Sequence, residues 1–296
     1  MVYMHRLVNV FIVSIIRLIV VIFIMTTMVN SYAADAEKSI DRKPEKTRWE
    51  AGALAATFYG PLYPASSESQ QKLLPVPFLI YRGEHLRIGE DGLIKAMAVE
   101  KPRFKVDLSL GAAFNSNSDD STARKGMPDL DFIFEVGPEV SFMLLDSDLH
   151  ETWLNFQVRK VFSTDFSTIE ARGYIFQPEI AFHGEKVFSD NSSLKLTFSP
   201  LFATDKMQQY FYQVDDEYST LDRPSYHAKG GYLGSEIAMI NRFNIRRDLM
   251  VFVSTKAGFY HGASNDDSPL FEKEFNYAIG VGVKWVLFQS NKESLF

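Results

Sequence analysis

Arg103-Phe104-Lys105-Val106-Asp107-Leu108-Ser109-Leu110-Gly111-Ala112 reads differently on its two faces. Phe104, Val106, Leu108, Leu110 and Ala112 fall on one side, and Arg103, Lys105, Asp107, Ser109 and Gly111 on the other. A period of two belongs to a strand, because alternate side chains of an extended chain point to opposite faces. The alternation recurs along the chain. At 130–144, Phe132, Phe134, Val136, Val140 and Phe142 oppose Asp131, Glu135, Glu139 and Ser141. Leu154, Phe156 and Val158 oppose Asn155, Gln157 and Arg159; Tyr174, Phe176, Ile180 and Phe182 oppose Gln177, Glu179 and His183. Leu194, Leu196, Phe198 and Phe202 oppose Lys195, Thr197 and Ser199, while Leu233, Ile237 and Met239 oppose Glu236. The stretch 249–259 and a last strand at 277–287, apolar at Tyr277, Ile279, Val281, Val283, Trp285 and Leu287, complete the set. One apolar and one charged face in strand after strand is what a barrel in an outer membrane requires. Lipid offers no hydrogen bonds, so a spanning sheet must close on itself to satisfy its backbone.

Composition fits this reading. The 296 residues include 25 Phe and 13 Tyr, an aromatic share of 14 % that suits a lipid-facing wall with interfacial girdles. A sandwich core would also use Phe, so a soluble periplasmic sandwich is the competing all-β architecture. The absence of Cys excludes disulfides, thiolate metal sites and thiol catalysis. A net charge of −6 argues against a nucleic-acid partner.

Residues 1–33 read as a cleaved signal peptide: Arg6 supplies the positive start, 18–25 the apolar core, and Ser31-Tyr32-Ala33 the small-residue cleavage site. Residues 34–47 read as a disordered lead-in, 48–289 as the barrel, and 290–296 as a short tail. The expected fold is a closed antiparallel transmembrane β-barrel. It has twelve strands if 75–81 and 84–88 are separate strands, and ten if these two short stretches are not counted. Gly60-Pro61-Leu62-Tyr63-Pro64 is expected to break the first strand, and Gly89-Glu90-Asp91-Gly92 to make a tight turn. Connections at 145–150, 187–192 and 243–247 are short; those at 115–129, 204–231 and 262–274 are long. Barrels of this class have short periplasmic turns and long outer loops, and with a periplasmic C-terminus all three long loops fall outside.

The polar faces would then crowd the interior with Asp107, Asp131, Glu135, Glu139, Glu179 and Glu236 against Arg103, Lys105, Arg159, Lys195, Lys256 and Lys284. Charges inside a narrow barrel need partners or water, and a balanced set favours a cross-linked, closed lumen over a selective pore. No catalytic, cofactor or metal site is expected. His261 with Ser264 and Asp266 is the best local approach to a nucleophile and base, but spacing alone does not make a triad. Asp119-Asp120, Asp215-Asp216-Glu217 and Asp266-Asp267 lack calcium-loop spacing and read as solvated or lipopolysaccharide-facing loops. Tyr210, Phe211 and Tyr212 read as an interfacial girdle, and His183 as a hydrogen-bonded lumen residue.

Several motifs converge in order and spacing: Gly60-Pro61-Leu62-Tyr63-Pro64; Leu73-Leu74-Pro75-Val76-Pro77-Phe78-Leu79-Ile80-Tyr81-Arg82-Gly83-Glu84; Asn115-Ser116-Asn117-Ser118-Asp119-Asp120; and Gly126-Met127-Pro128-Asp129-Leu130-Asp131. Gln209-Tyr210-Phe211-Tyr212, Ser225-Tyr226-His227-Ala228-Lys229-Gly230-Gly231 and Asp266-Asp267-Ser268-Pro269-Leu270 follow. Over about 49–288 the chain resembles the MipA/OmpV family of outer-membrane proteins. The resemblance implies a non-enzymatic barrel in the outer membrane of a Gram-negative cell, in contact with lipid and lipopolysaccharide. One branch is similar to scaffolds that bind a membrane-bound lytic transglycosylase and a bifunctional murein synthase. Other branches look like adhesins, porin-like channels or antigens, so both readings stay open. The chain departs from the family at its end, where 289–296 follow Phe288 before a second terminal Phe.

Overall fold

The computed structural model describes residues 48–82, 87–88 and 97–290. The expected signal peptide, the lead-in, the turn at 89–92 and nearly all of the tail lie outside the described residues. One antiparallel sheet is built from β1 (Trp49–Pro61), β2 (Ser69–Arg82), β3 (Arg87–Ile88), β4 (Met97–Lys101), β5 (Phe104–Ala113), β6 (Phe132–Asp146), β7 (His150–Thr164), β8 (Ile169–Glu185), β9 (Ser192–Ala203), β10 (Gly231–Arg246), β11 (Leu249–Phe259) and β12 (Phe275–Gln289). Their order is β3-β2-β1-β12-β11-β10-β9-β8-β7-β6-β5-β4. Ten strands are long; β3 has 2 residues and β4 has 5. Near the ends of the chain, β1 and β12 lie side by side, and the backbone N–H groups of Arg48 and Trp49 both donate to Ser290 Oγ. The sheet curls: Phe58 of β1 meets Phe114, just beyond β5, at 5.7 Å between ring centroids, although the two strands are remote in the sheet order.

Two strand ends differ from the expectation. β1 does not break at Gly60; its ladder with β2 continues through Gly60↔Gln70 to Pro61↔Ser69. Pro61 occupies the last strand position, where a missing N–H is tolerated. The polar Ser69–Gln71 stretch therefore starts β2.

Burial runs opposite to that of a water-soluble sheet. Along β7, Asn155, Gln157, Arg159 and Ser163 are buried while Phe156 and Val158 are exposed. On β12, Asn276 and Gly280 are buried while Tyr277, Val281, Val283, Trp285 and Leu287 are exposed. Ile180, Leu196, Phe198 and Ile237 extend the exposed apolar wall. In a two-sheet sandwich these apolar faces would cover one another. Here they form the outer surface.

The wall carries an aromatic belt at each end. At the loop end, ring pairs run along neighbouring strands: Phe134–Phe162 at 5.1 Å, Phe176–Phe202 at 6.2 Å, Phe202–Tyr232 at 5.7 Å, Phe259–Phe275 at 5.3 Å and Tyr59–Tyr277 at 6.2 Å. At the other end sit Phe104–Phe142 at 5.4 Å on β5 and β6 and, on β1 and β12, the exposed Trp49, Trp285 and Phe288. From Tyr277 to Trp285 the strand climbs roughly 26 Å at about 3.3 Å per residue. Tilted by about 40°, that gives about 20 Å of height, comparable with the ~25 Å apolar band of outer-membrane barrels.

Candidate functional site

Below the loops, the inner face of β5–β9 is laced by one polar belt. Arg159 on β7 is its hub: Nε lies 2.6 Å from Glu135 Oε2 on β6. Nη1 donates to Ser109 Oγ on β5 and to Gln157 Oε1, and Nη2 donates to Gln177 Oε1 on β8. Gln177 Nε2 passes the chain on to Ser199 Oγ on β9 at 2.8 Å. Five adjacent strands are thus tied by side chains that alternate with the apolar outer residues. A second tier joins Asn155 Nδ2 to Glu179 Oε1 at 3.0 Å, with Lys195 Nζ 3.9 Å from the same oxygen. Asp107 is buried on this face, and Ser141 Oγ donates to Glu139 Oε1 at 3.3 Å. Lys105 Nζ stands 4.1 Å above the Trp153 ring.

The facing wall is less polar. Rings of Phe58 and Phe252 lie over Gly280 and Gly282 of β12, so close that a Cβ on either glycine would strike them. Two ion pairs interrupt it: Lys256 Nζ–Glu236 Oε1 at 2.9 Å, and Lys284 Nζ–Glu50 Oε2 at 3.6 Å with the Phe78 ring 4.8 Å away. Glu50 was not among the expected interior charges, because Trp49 and the alanines after it disguise the alternation of β1.

Two expected interior charges stand elsewhere. Arg103 is exposed in the turn between β4 and β5, where its carbonyl accepts from Met143 N–H. The alternation of the decisive stretch begins one residue later, with Phe104. Asp131 sits at the loop-end rim just before β6, 4.0 Å from Arg172, and burial raises its carboxyl pKa.

The four longer connections at the loop end fold together into a cap with its own apolar core. Leu62 and Tyr63 (from 62–68), Met127 and Leu130 (from 114–131), Met207, Phe211, Tyr212, Val214 and Ala228 (from 204–230) and Leu270 (from 260–274) pack with Ile133, Val161, Ile175 and Leu233 of the sheet. Within it, α1 (Asp205–Tyr212) places Met207 and Phe211 one turn apart on its buried face. The girdle expected at Tyr210, Phe211 and Tyr212 is therefore incorrect: Phe211 and Tyr212 are buried, and Tyr210 Oη accepts from Asp131 N–H at 2.6 Å. The membrane belt is made by strand residues instead. The signal that could have found α1 was the four-residue spacing of Met207 and Phe211, which a reading for strands passes over.

Hydrogen bonds stitch the cap across loops. Tyr63 Oη donates to Leu270 O at 2.9 Å, Tyr212 Oη to Pro64 O at 3.0 Å, and Ser268 Oγ to Tyr212 O at 2.8 Å. Arg124, 5 % exposed, donates to Phe211 O at the end of α1 and to Pro128 O. A cation there complements the helix's carbonyl end. Arg223 Nη1 donates to Ala123 O and Lys125 O. Burial, with the nearby Glu272 carboxylate, raises the Tyr63 phenol pKa; burial raises that of Tyr212 and lowers that of Arg124. Burial would raise the Glu68 carboxyl pKa, but hydrogen bonds from Thr122 and Ser67 outweigh it and the net shift is down.

His261 turns its Nδ1 to Glu274 Oε1 at 3.3 Å, and among the described residues no hydrogen bond joins it to Ser264. Among the described residues no group of histidine, aspartate and glutamate side chains is arranged to hold a metal ion.

A curled antiparallel sheet that is polar within, apolar without and belted by aromatics at both ends defines an outer-membrane β-barrel protein. The chain belongs to the family described as MltA-interacting protein MipA, whose model matches residues 53–287. No curated relative matches the chain. Among solved structures it is similar to the NanC porin, with 8 % identity, 80 % of this chain and 100 % of that one covered, and a TM-score of 0.37. It is similar to a bacterial polysaccharide outer membrane secretin, with 9 % identity, 82 % and 100 % covered, and a TM-score of 0.41. It is also similar to the toluene transporter TbuX of Ralstonia pickettii, with 8 % identity, 81 % and 90 % covered, and a TM-score of 0.32.

Proposed function

We propose that the chain is exported by its cleaved leader (1–33) and closes, through β3 and β4, into a twelve-stranded barrel that is capped and does not conduct. In this reading it is a non-enzymatic scaffold tying murein-remodelling enzymes, a lytic transglycosylase and a murein synthase, to the outer membrane. The observation that carries it is the cap: four loops share one apolar core across one mouth of the sheet, above the Arg159 belt. A scaffold needs a rigid body anchored in lipid, not a path through it. The family's description, which names an interaction with MltA, supplies the transglycosylase. Long loops face outward in barrels of this class, so the short turns at 147–149, 186–191 and 247–248 face the periplasm and the enzymes there. The charges that serve the closed interior are Lys105, Asp107, Glu135, Glu139, Arg159, Glu179, Lys195, Glu236, Lys256 and Lys284, with Asp131 at the rim.

Cross-linking in intact cells followed by affinity purification tests this. Recovery of a lytic transglycosylase or murein synthase is the expected result; their absence from a correctly assembled barrel overturns the scaffold. The second reading, a surface adhesin, is favoured by one observation: the cap offers a folded outer surface on which Leu221 and the acidic Asp215, Asp216 and Glu217 are exposed or only partly covered. Lipopolysaccharide would be its immediate neighbour in either case.

A further inference from the structure

At the loop end, among the described residues, one connection stays out of the cap. The β7–β8 turn at 165–168 is too short to fold inward, and it presents Phe166 at 85 % exposure with Ile169 beside it at 66 %. The turn is not a loose tip. Asp165 Oδ1 accepts the N–H groups of Ser167 and Thr168 at 2.9 and 2.7 Å, Oδ2 accepts Ser167 Oγ at 2.8 Å, and Thr164 Oγ1 accepts Phe166 N–H at 2.9 Å. These bonds hold Phe166 at φ +69°, a left-handed conformation that an aromatic residue rarely adopts. A locked, strained backbone at a fully presented aromatic ring is a feature to explain by function.

The ring's direction supplies the explanation. It stacks on Phe132 at 6.0 Å and 25°, and Phe132 stands two residues before Phe134, which stacks on Phe162 at 5.1 Å. On the other side, Tyr174 and the Phe176–Phe202 pair continue the same exposed belt. Phe166 is thus continuous with the lipid-facing wall and stands one step above its aromatic edge. We propose that Phe166, with Ile169, is a lipid anchor: the turn inserts this ring at the boundary between headgroups and acyl chains of the outer leaflet and fixes the depth of the β6–β9 side of the wall. An aromatic ring suits that boundary, where its apolar body meets acyl chains and its edge meets headgroups. The anchor rests on the outer-membrane placement of the sheet and adds to it a specific contact.

The chain has no cysteine, so single introduced cysteines can be labelled uniquely. Nitroxide labels on Phe166→Cys, Phe198→Cys in the wall and Leu221→Cys at the cap surface, each in the full chain folded into phosphatidylcholine vesicles, are compared by collision with oxygen and with a water-soluble nickel chelate. Heat-modifiable migration on a gel selects folded protein. The expected oxygen-to-nickel ratio at 166 lies between the two others, below that at 198 and several-fold above that at 221. A ratio at 166 equal to that at 221, with 198 still lipid-like, overturns the anchor and leaves the membrane reading intact. Water-like ratios at both 166 and 198 overturn both. Should Phe166→Cys fail to fold, Phe166→Trp in vesicles of acyl-brominated phosphatidylcholine serves instead: added emission that is quenched supports the anchor, and added emission that is unquenched overturns it.

Discussion

The cap and the wall of this molecule obey opposite rules of burial. In the cap, Met207, Phe211, Tyr212 and Leu270 are hidden and Asp215, Asp216 and Glu217 face outward, as in any small water-soluble core. In the wall, Arg159, Glu179 and Gln157 are hidden and Phe198, Val281 and Trp285 face outward. One chain uses both rules because its two parts meet different solvents. Apolar surface leaves water when it can, but lipid is as apolar as leucine, and there the polar side chains must find partners inside. The belt around Arg159 is the consequence: Glu135, Gln157, Gln177 and Ser199 are gathered with it on the side of the sheet turned away from the apolar wall.

The sharpest way to break the wall's rule is to unpair its hub. Arg159→Ala leaves Glu135 buried without its cation, and the expected loss is about 3–5 kcal/mol, read as reduced folding into vesicles over a urea series. Adding Glu135→Gln should return part of that loss, since the stranded charge is then gone. Next in size is a charge on the outside. Phe198→Arg should cost about 2–4 kcal/mol if the residue lies near the bilayer midplane. An equal change on the cap surface, Leu221→Arg, should cost nothing measurable in the same assay.

Alkaline pH should separate the two regions. The Tyr63 and Tyr212 phenol pKa values are raised in the folded cap, so their contribution to stability is complete below the unfolded tyrosine pKa of about 10 and is lost as pH rises through the higher folded values. Limited proteolysis should therefore begin to cleave 204–230 above about pH 10 while the wall keeps its heat-modifiable migration. The smallest effect is expected at the latch between two loops. Glu68 Oε1 accepts Thr122 N–H at 3.1 Å, and Glu68→Gln should weaken the cap by about 1 kcal/mol, seen as slightly faster proteolysis. Because the Glu68 carboxyl pKa is lowered on folding, the wild-type advantage is present above the usual carboxylate range and fades as pH falls through the folded value.

The strands were legible in the sequence because a strand with two solvents declares both faces. Phe132 to Phe142 and Tyr277 to Leu287 alternate so regularly that direction, face and length follow from period two. The same alternation sets Glu135, Arg159 and Glu179 on the face opposite the exposed apolar residues. Arg103 does not follow it, since a period says nothing about where a strand begins, and one residue of turn carries a side chain out of the sheet. The cap was less legible. Its core is assembled from four connections far apart in sequence, each too short and too polar to show an apolar face alone. Tyr210-Phe211-Tyr212 looks like a girdle in isolation and becomes a core only when Pro64, Leu270 and Arg124 arrive around it. The close passage of Gly137 was equally invisible: a Cβ there would stand 1.9 Å from Val158 O, which only the register of β6 on β7 reveals.

Single-channel recording on the purified full chain in a planar bilayer tests the proposed closed, non-conducting barrel most directly. Silence at neutral pH is the expected result, since four loops share one apolar core at the loop end and the Arg159 belt lies on the inner face beneath them. A steady, large conductance from folded wild-type protein would contradict it.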